Sequence, residues 1–168
     1  DDDIARDVDL LLRDLAGVTP NLIREKDRPT TSKIRYVAGG QQLLRADREV
    51  TTPIADDVAD AVFRAAESAL EDAGVLIVSD YGKGTITDRL VARLIEAASA
   101  AGKPVIVDPK SRDFTRYAGA SLITPNLKEL GEAADGELSS EDGIVDAALG
   151  LLSHAGIGSM LVTRGAQG

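Results

Sequence analysis

The sequence predicts an α/β domain: a mostly parallel sheet flanked by helices, with a small accessory β hairpin. Three observations carry that expectation. Short continuous apolar runs, VLIVS at 75–79, PVIVD at 104–108 and SLIT at 121–124, read as buried strands. Helical patterns separate them, and strands alternating with helices imply a parallel sheet with covered faces. Two extended runs meeting at Gly39-Gly40 form the strongest local hairpin signal in the chain.

In chain order, DDDIARDVDLLLRDLAGV at 1–18 reads as an acid-capped helix with Ile4, Val8, Leu11, Leu12 and Leu15 at helical spacing. NLIRE at 21–25 reads as a short strand. TTSKIRYV and QQLLRADREV then make the hairpin at 31–49. A long helix follows, with Pro53 near its start and Ala61, Val62, Ala65, Ala69 and Leu70 on its apolar face. After the 75–79 strand, residues 87–101 form a helix that starts at Thr87 and is stopped by Gly102 before Pro104. Strands at 104–108 and 121–124 come next, then helical segments near 126–134 and 140–153, and SMLVT at 159–163 as a fourth sheet strand.

Composition sets limits on function. The 168 residues, 43% of them hydrophobic, suit one ordinary domain, and an aromatic content of 3% leaves the core to aliphatic side chains. With 19 basic against 28 acidic residues the net charge is −9, which disfavours nucleic acid and anionic membrane as partners. The absence of cysteine excludes disulfides, thiolate metal sites and cysteine nucleophiles, and fits a reducing compartment. No apolar run approaches the roughly 18 residues that span a bilayer, and no secretory signal precedes the first helix, so a cytoplasmic location is expected. The sequence opens on Asp1 and stops in a glycine turn; a segment of a longer domain is expected.

The residues with chemistry gather at the carboxyl ends of the strands, where an open α/β sheet binds its ligands. Four exits carry SDYGKG (79–84), DPKSRD (108–113), TPNLKE (124–129) and TRGAQG (163–168). Any one of these is an ordinary turn by composition. Together they point to a shared binding edge. Lys83 and Lys110 oppose phosphate charge, while Asp80, Asp108, Asn126 and Glu129 supply the oxygen ligands that suit a hard cation. The glycines flanking Lys83 are expected to let that corner bend close to a ligand.

The ordered set of DYGKG, DPK and TPNLKEL, with TSKIRYV and QQLLRAD upstream and LVTRGAQG at the end, resembles the ribokinase-type (PfkB) sugar kinases, and within them the heptose 7-phosphate kinase branch. The likeness covers nearly all of the chain. It implies a ribokinase-like fold, with residues 1–168 as part of a kinase domain, 31–49 as a lid or dimerisation hairpin, and 75–168 as the nucleotide-side core. It implies ATP-dependent phosphorylation of the anomeric hydroxyl of D-glycero-β-D-manno-heptose 7-phosphate, with Mg2+, on the way to the activated heptose of lipopolysaccharide. Carried over by position, Asn126 and Glu129 hold magnesium through water; their spacing is also that of a capping box. Asp108, Lys110, Thr163, Gly165 and Gly168 fall on the nucleotide side. Lys33, Arg45, Asp80 and Lys83 fall on the sugar-phosphate side. Arg35 and Asp47 read as solvating charges, and His154 as a helix residue rather than a base.

The family's GAGD motif, whose aspartate deprotonates the attacking hydroxyl, does not occur in residues 1–168. No catalytic residue is therefore assigned, and the chain alone is expected to be inactive. Another PfkB-type sugar kinase, a noncatalytic sugar-phosphate or nucleotide-binding module, and a structural fragment that dimerises through the hairpin stay open as alternatives.

Overall fold

The computed structural model describes residues 2–167. Helix α1 (Asp3–Arg13) is capped by Asp2, whose carboxylate accepts from the Ala5 N–H at 2.9 Å and from the Thr30 N–H at 2.9 Å. The second bond ties the helix to the segment entering the hairpin, and it leads the effects that hold the Asp2 carboxyl down at about 2. The helix stops at Arg13, so Leu15 lies beyond it, contrary to the spacing argument.

Strands β1 (Ser32–Ala38) and β2 (Gln41–Arg48) pair antiparallel around Gly39 and Gly40, both at positive φ, as a two-stranded sheet of their own. Helix α2 (Asp56–Leu70) leads to β3 (Leu76–Ser79). Helix α3 (Asp88–Ala100) follows, started by Thr87, whose hydroxyl accepts from the Leu90 N–H at 3.1 Å, and ended by Gly102 at φ +65°. Next come β4 (Val105–Asp108), a 3-10 turn at Phe114–Tyr117, β5 (Leu122–Ile123), α4 (Leu127–Ala133) and α5 (Glu141–Ala155).

The second sheet has the order β3-β4-β5 and is parallel throughout. Val78, Val105, Val107 and Ile123 bury one face of it against Val91, Ile95 and Ala98 of α3 and against Phe114 and Tyr117 of the 3-10 turn. Ile54 and Ala59 pack separately on Leu90 and Leu94, which fixes α2 to α3. No helix among the described residues is long and apolar enough to cross a membrane.

Three further expectations are corrected. Residues 21–25 are not a strand: the segment has no ladder partner among the described residues, and Leu22 and Ile23 line a cavity instead. Residues 159–163 join the sheet only through isolated parallel bridges, Ile123 to Met160 and Asn126 to Thr163. The sheet is covered on one face rather than two at β3, where Ile77 is 64% exposed while Val78 is buried.

Candidate functional site

Parallel pairing sends all four exits to the same edge, and the backbone stitches them side by side. The Asp80 N–H donates to the Asp108 carbonyl at 3.0 Å, the Thr124 N–H to Val107 at 2.9 Å, and Leu127 and Thr163 donate to Thr163 and Pro125 respectively at 3.0 Å. Lys83, Lys110, Asn126 and Gly165 therefore follow strand ends that are neighbours in space. They form an open edge. A cavity of about 630 Å³ lies elsewhere, between α1, residues 20–31 and α2.

At the first exit, alternation carries Asp80 to the buried side of β3, the side of Val78, and it is 2% exposed. Its carboxylate accepts from the Tyr117 hydroxyl at 2.7 Å and from the Gly82 N–H at 2.7 Å, with the Arg116 guanidinium at 3.5 Å. Burial first, and then the Asp80 carboxylate, push the Tyr117 phenol well above its ordinary range, so the hydroxyl is a dependable donor. Asp80 thus shapes the corner from inside, and Tyr81 is left exposed.

The two glycines of this corner meet protein, not open space. A Cβ on Gly82 would lie 3.5 Å from Lys110 Cβ, and one on Gly84, at φ +79°, would lie 2.1 Å from the Thr52 carbonyl oxygen. The close approach expected toward a ligand is, at Gly84, an approach to the backbone that follows the hairpin. Arg28 secures the same junction, donating to the carbonyls of Val50 (3.3 Å), Thr52 (2.9 Å) and Lys83 (2.8 Å).

Lys83 turns toward the hairpin. Its ammonium donates to Glu49 at 2.6 Å, and the same carboxylate accepts from Lys33 at 3.3 Å. Lys33 also binds Asp47 at 3.0 Å, and Asp47 receives Arg45 at 3.0 Å. An ion-pair chain therefore runs from the β3 exit onto β1 and β2. Lys83, then Lys33, hold the Glu49 carboxyl below its ordinary value, and Asp47, then Glu49, raise the Lys33 ammonium. Glu49 was not singled out from sequence, because its partners Lys33 and Lys83 lie 16 and 34 residues away along the chain.

On the other side, Asn126 and Glu129 form the capping box of α4. The Asn126 side chain accepts from the Glu129 N–H at 3.0 Å and the Glu129 carboxylate from the Asn126 N–H at 2.9 Å. The second Glu129 oxygen pairs with Lys110, whose ammonium it raises. No cluster of three or more His, Cys, Asp or Glu residues fit to hold a metal occurs among the described residues. An ionised carboxylate has about four lone-pair sites, so Glu129 keeps acceptor capacity, and the pair fits a magnesium ion that retains its waters rather than one caged by protein. Thr163 sits beside Asn126 through its bridge, and Gly165, at φ +61°, has open space where a side chain would be. Gly168 lies outside the described residues. His154 is exposed in the last turn of α5.

The site is thus a parallel sheet with cations and a capping-box acid along its carboxyl edge, and a separate hairpin joined to that edge by ion pairs. Residues 7–168 match the defining pattern of the pfkB family carbohydrate kinases, and the chain belongs to that family. It is 43% identical over 168 residues to the bifunctional protein HldE of Paramagnetospirillum magneticum and 47% identical over 154 residues to that of Caulobacter vibrioides. These matches cover 100% and 91% of this chain but 34% and 31% of the relatives, so the chain spans about a third of their length. Among solved structures, the tetrameric inhibited form of Escherichia coli phosphofructokinase-2 matches 99% of this chain and 55% of its own, with TM-score 0.73 and 23% identity. Arabidopsis thaliana ribokinase complexed with ribose and ATP matches 84% and 45%, with TM-score 0.59 and 19% identity. At such identities the likeness is one of fold.

Proposed function

We propose that this chain forms part of an ATP-dependent sugar kinase that phosphorylates the anomeric hydroxyl of D-glycero-β-D-manno-heptose 7-phosphate. The observation that supports it is the single edge on which four strand exits are bonded side by side, with Lys110, Asn126, Glu129 and Gly165 toward one end and Lys83, Lys33 and Arg45 toward the other. In this reading the first group, with Asp108 and Thr163, receives ATP. The second receives the sugar phosphate, and Asp80 holds the corner that presents Lys83. Magnesium, when bound, supplies the positive charge that offsets the phosphate oxygens during transfer. Asn126 and Glu129 would hold its waters, and Lys110, paired with Glu129, keeps that side chain in place. The proton of the attacking hydroxyl goes to a base outside residues 1–168. The reading assigns the reaction to the cytoplasm, where ATP is supplied, and assigns the apolar hairpin face of Ile34, Tyr36 and Leu44 to pairing with a second copy.

The test is direct measurement of the heptose bisphosphate formed from ATP and heptose 7-phosphate by the full-length protein and by residues 1–168 at one magnesium concentration. Turnover by the full-length protein alone is the expected result. Glu129→Gln preserves the capping box, which glutamine also serves, and is expected to lower magnesium-dependent turnover about 10- to 100-fold, as for other groups that act on a metal through its outer shell. A full-length protein that binds both substrates without turning them over favours the noncatalytic module.

A further inference from the structure

On the hairpin, Lys33 stands opposite Asp47 and Arg35 stands directly opposite Arg45. Opposed residues share a face, and so do residues two apart, so Lys33, Arg35, Arg45 and Asp47 all project from the same side. The irregularity in register falls between Tyr36 and Val37, beyond these pairs, and leaves that alternation intact. Glu49, bound to both Lys33 and Lys83, shows which way this side looks: toward the β3 exit.

The charges on this side do not balance. Lys33, Lys83 and Arg45 share the carboxylates of Asp47 and Glu49, and Arg35 has no carboxylate partner among the described residues. Four cations thus face two carboxylates. Like charges placed directly across a strand pair destabilise it, and any neutral residue at either position relieves the cost. Solvation alone gives no reason to place two guanidinium groups opposite each other, and in a chain of net charge −9 it is not a general excess of basic residues that puts them there. A phosphate dianion balances the excess of two positive charges, and a guanidinium fork matches phosphate oxygens two at a time.

We propose that Arg35, set across the hairpin from Arg45, determines specificity: the two guanidinium groups clamp the phosphate of the sugar substrate and make the protein prefer a phosphorylated sugar to the same sugar without its phosphate. This rests on the sugar-phosphate reading above and adds to it a residue that sequence reasoning had left as a solvating charge.

The experiment is a calorimetric titration of the full-length protein, without ATP, using heptose 7-phosphate and unphosphorylated heptose as the two probes, for the wild type, Arg35→Ala and Arg35→Lys. Arg35→Ala is expected to weaken binding of the phosphorylated probe about 10-fold or more, the size of a lost charge-assisted hydrogen bond. It leaves binding of the free sugar unchanged and the melting temperature equal to or above the wild type, since the like-charge opposition is gone. Arg35→Lys recovers part of the loss. Unchanged affinity for the phosphorylated probe in Arg35→Ala, an equal loss for both probes, or a wild type that does not discriminate between them overturns the inference. Because no turnover is measured, a wild type that prefers the phosphorylated probe yet forms no bisphosphate with ATP sinks the kinase reading and leaves Arg35 standing.

Discussion

In the hairpin every strand residue except Ser32 is exposed, whereas the parallel sheet seals Val78, Val105, Val107 and Ile123 beneath α3 and the 3-10 turn. Both regions are β structure with regular alternation. In the sheet, alternation sorts side chains between a packed face and an open one. In the hairpin it sorts them between an apolar side, with Ile34, Tyr36 and Leu44, and a charged side. The contrast separates two tasks. Burial in the sheet holds the fold, and the hairpin, contributing little to that burial, tolerates an electrostatic arrangement that a stability-bearing element would not. Regions of low local stability are where ligand-binding elements are commonly drawn from.

The sharpest way to break the comparison is at the junction between the two regions. Gly84 packs against the Thr51-Thr52 backbone at a φ that side chains rarely adopt, so Gly84→Ala must both strain the corner and push it off the chain leaving the hairpin. We expect a loss of about 3 kcal/mol or more in the unfolding free energy, toward the upper end of single-site effects. A denaturation midpoint like that of the wild type sinks this account of the corner.

A paired substitution then measures the contrast itself. Val107→Ala removes two carbons from a fully buried strand position and is expected to cost about 2 kcal/mol by transfer and cavity terms. Leu44→Ala, at a position 57% exposed on the hairpin, is expected to stay within about 0.5 kcal/mol. Equal losses in urea titrations refute the division of labour.

Much of this division was legible in the sequence, because its signals are local. Apolar runs marked β3, β4 and β5; Thr87 and Gly102 marked the limits of α3; the glycine pair marked the hairpin; and Asn126 with Glu129 marked the capping box. What was not legible depends on partners distant in sequence. NLIRE has strand composition, but composition does not supply a neighbouring strand. SMLVT reaches β5 only at separate points. The 3-10 turn that brings Phe114 and Tyr117 into the core is too short to show a period. Asp80 lay within reach of a parity argument, since it sits two residues beyond Val78 and so on its side of the strand. Its bond to Tyr117, 37 residues away, did not. The hairpin's charged face was half visible: alternation joins Lys33 to Arg35 and Arg45 to Asp47, but only the register puts all four together.

The smallest expected effect concerns the ion pairs that hold the two regions to each other. Glu49 links Lys33 of β1 to Lys83 of the corner, and its carboxyl is held low by Lys83 first and Lys33 second. A carboxyl whose folded value lies below its ordinary 4.5 contributes stability that is present above that value and is lost as pH falls through the folded one. Glu49→Gln keeps the shape and removes the charge. Its unfolding midpoint is therefore expected to fall slightly below the wild type at pH 7 and low salt, by less than for Val107→Ala, because exposed pairs are screened. The gap should narrow as pH falls through the folded value, where the wild-type carboxylate is itself protonated, and in 1 M salt, where the screening length is about 3 Å. A gap that persists unchanged under both conditions means that Glu49 acts through packing or hydrogen bonding, and the hairpin is then fastened to the corner by shape rather than by charge.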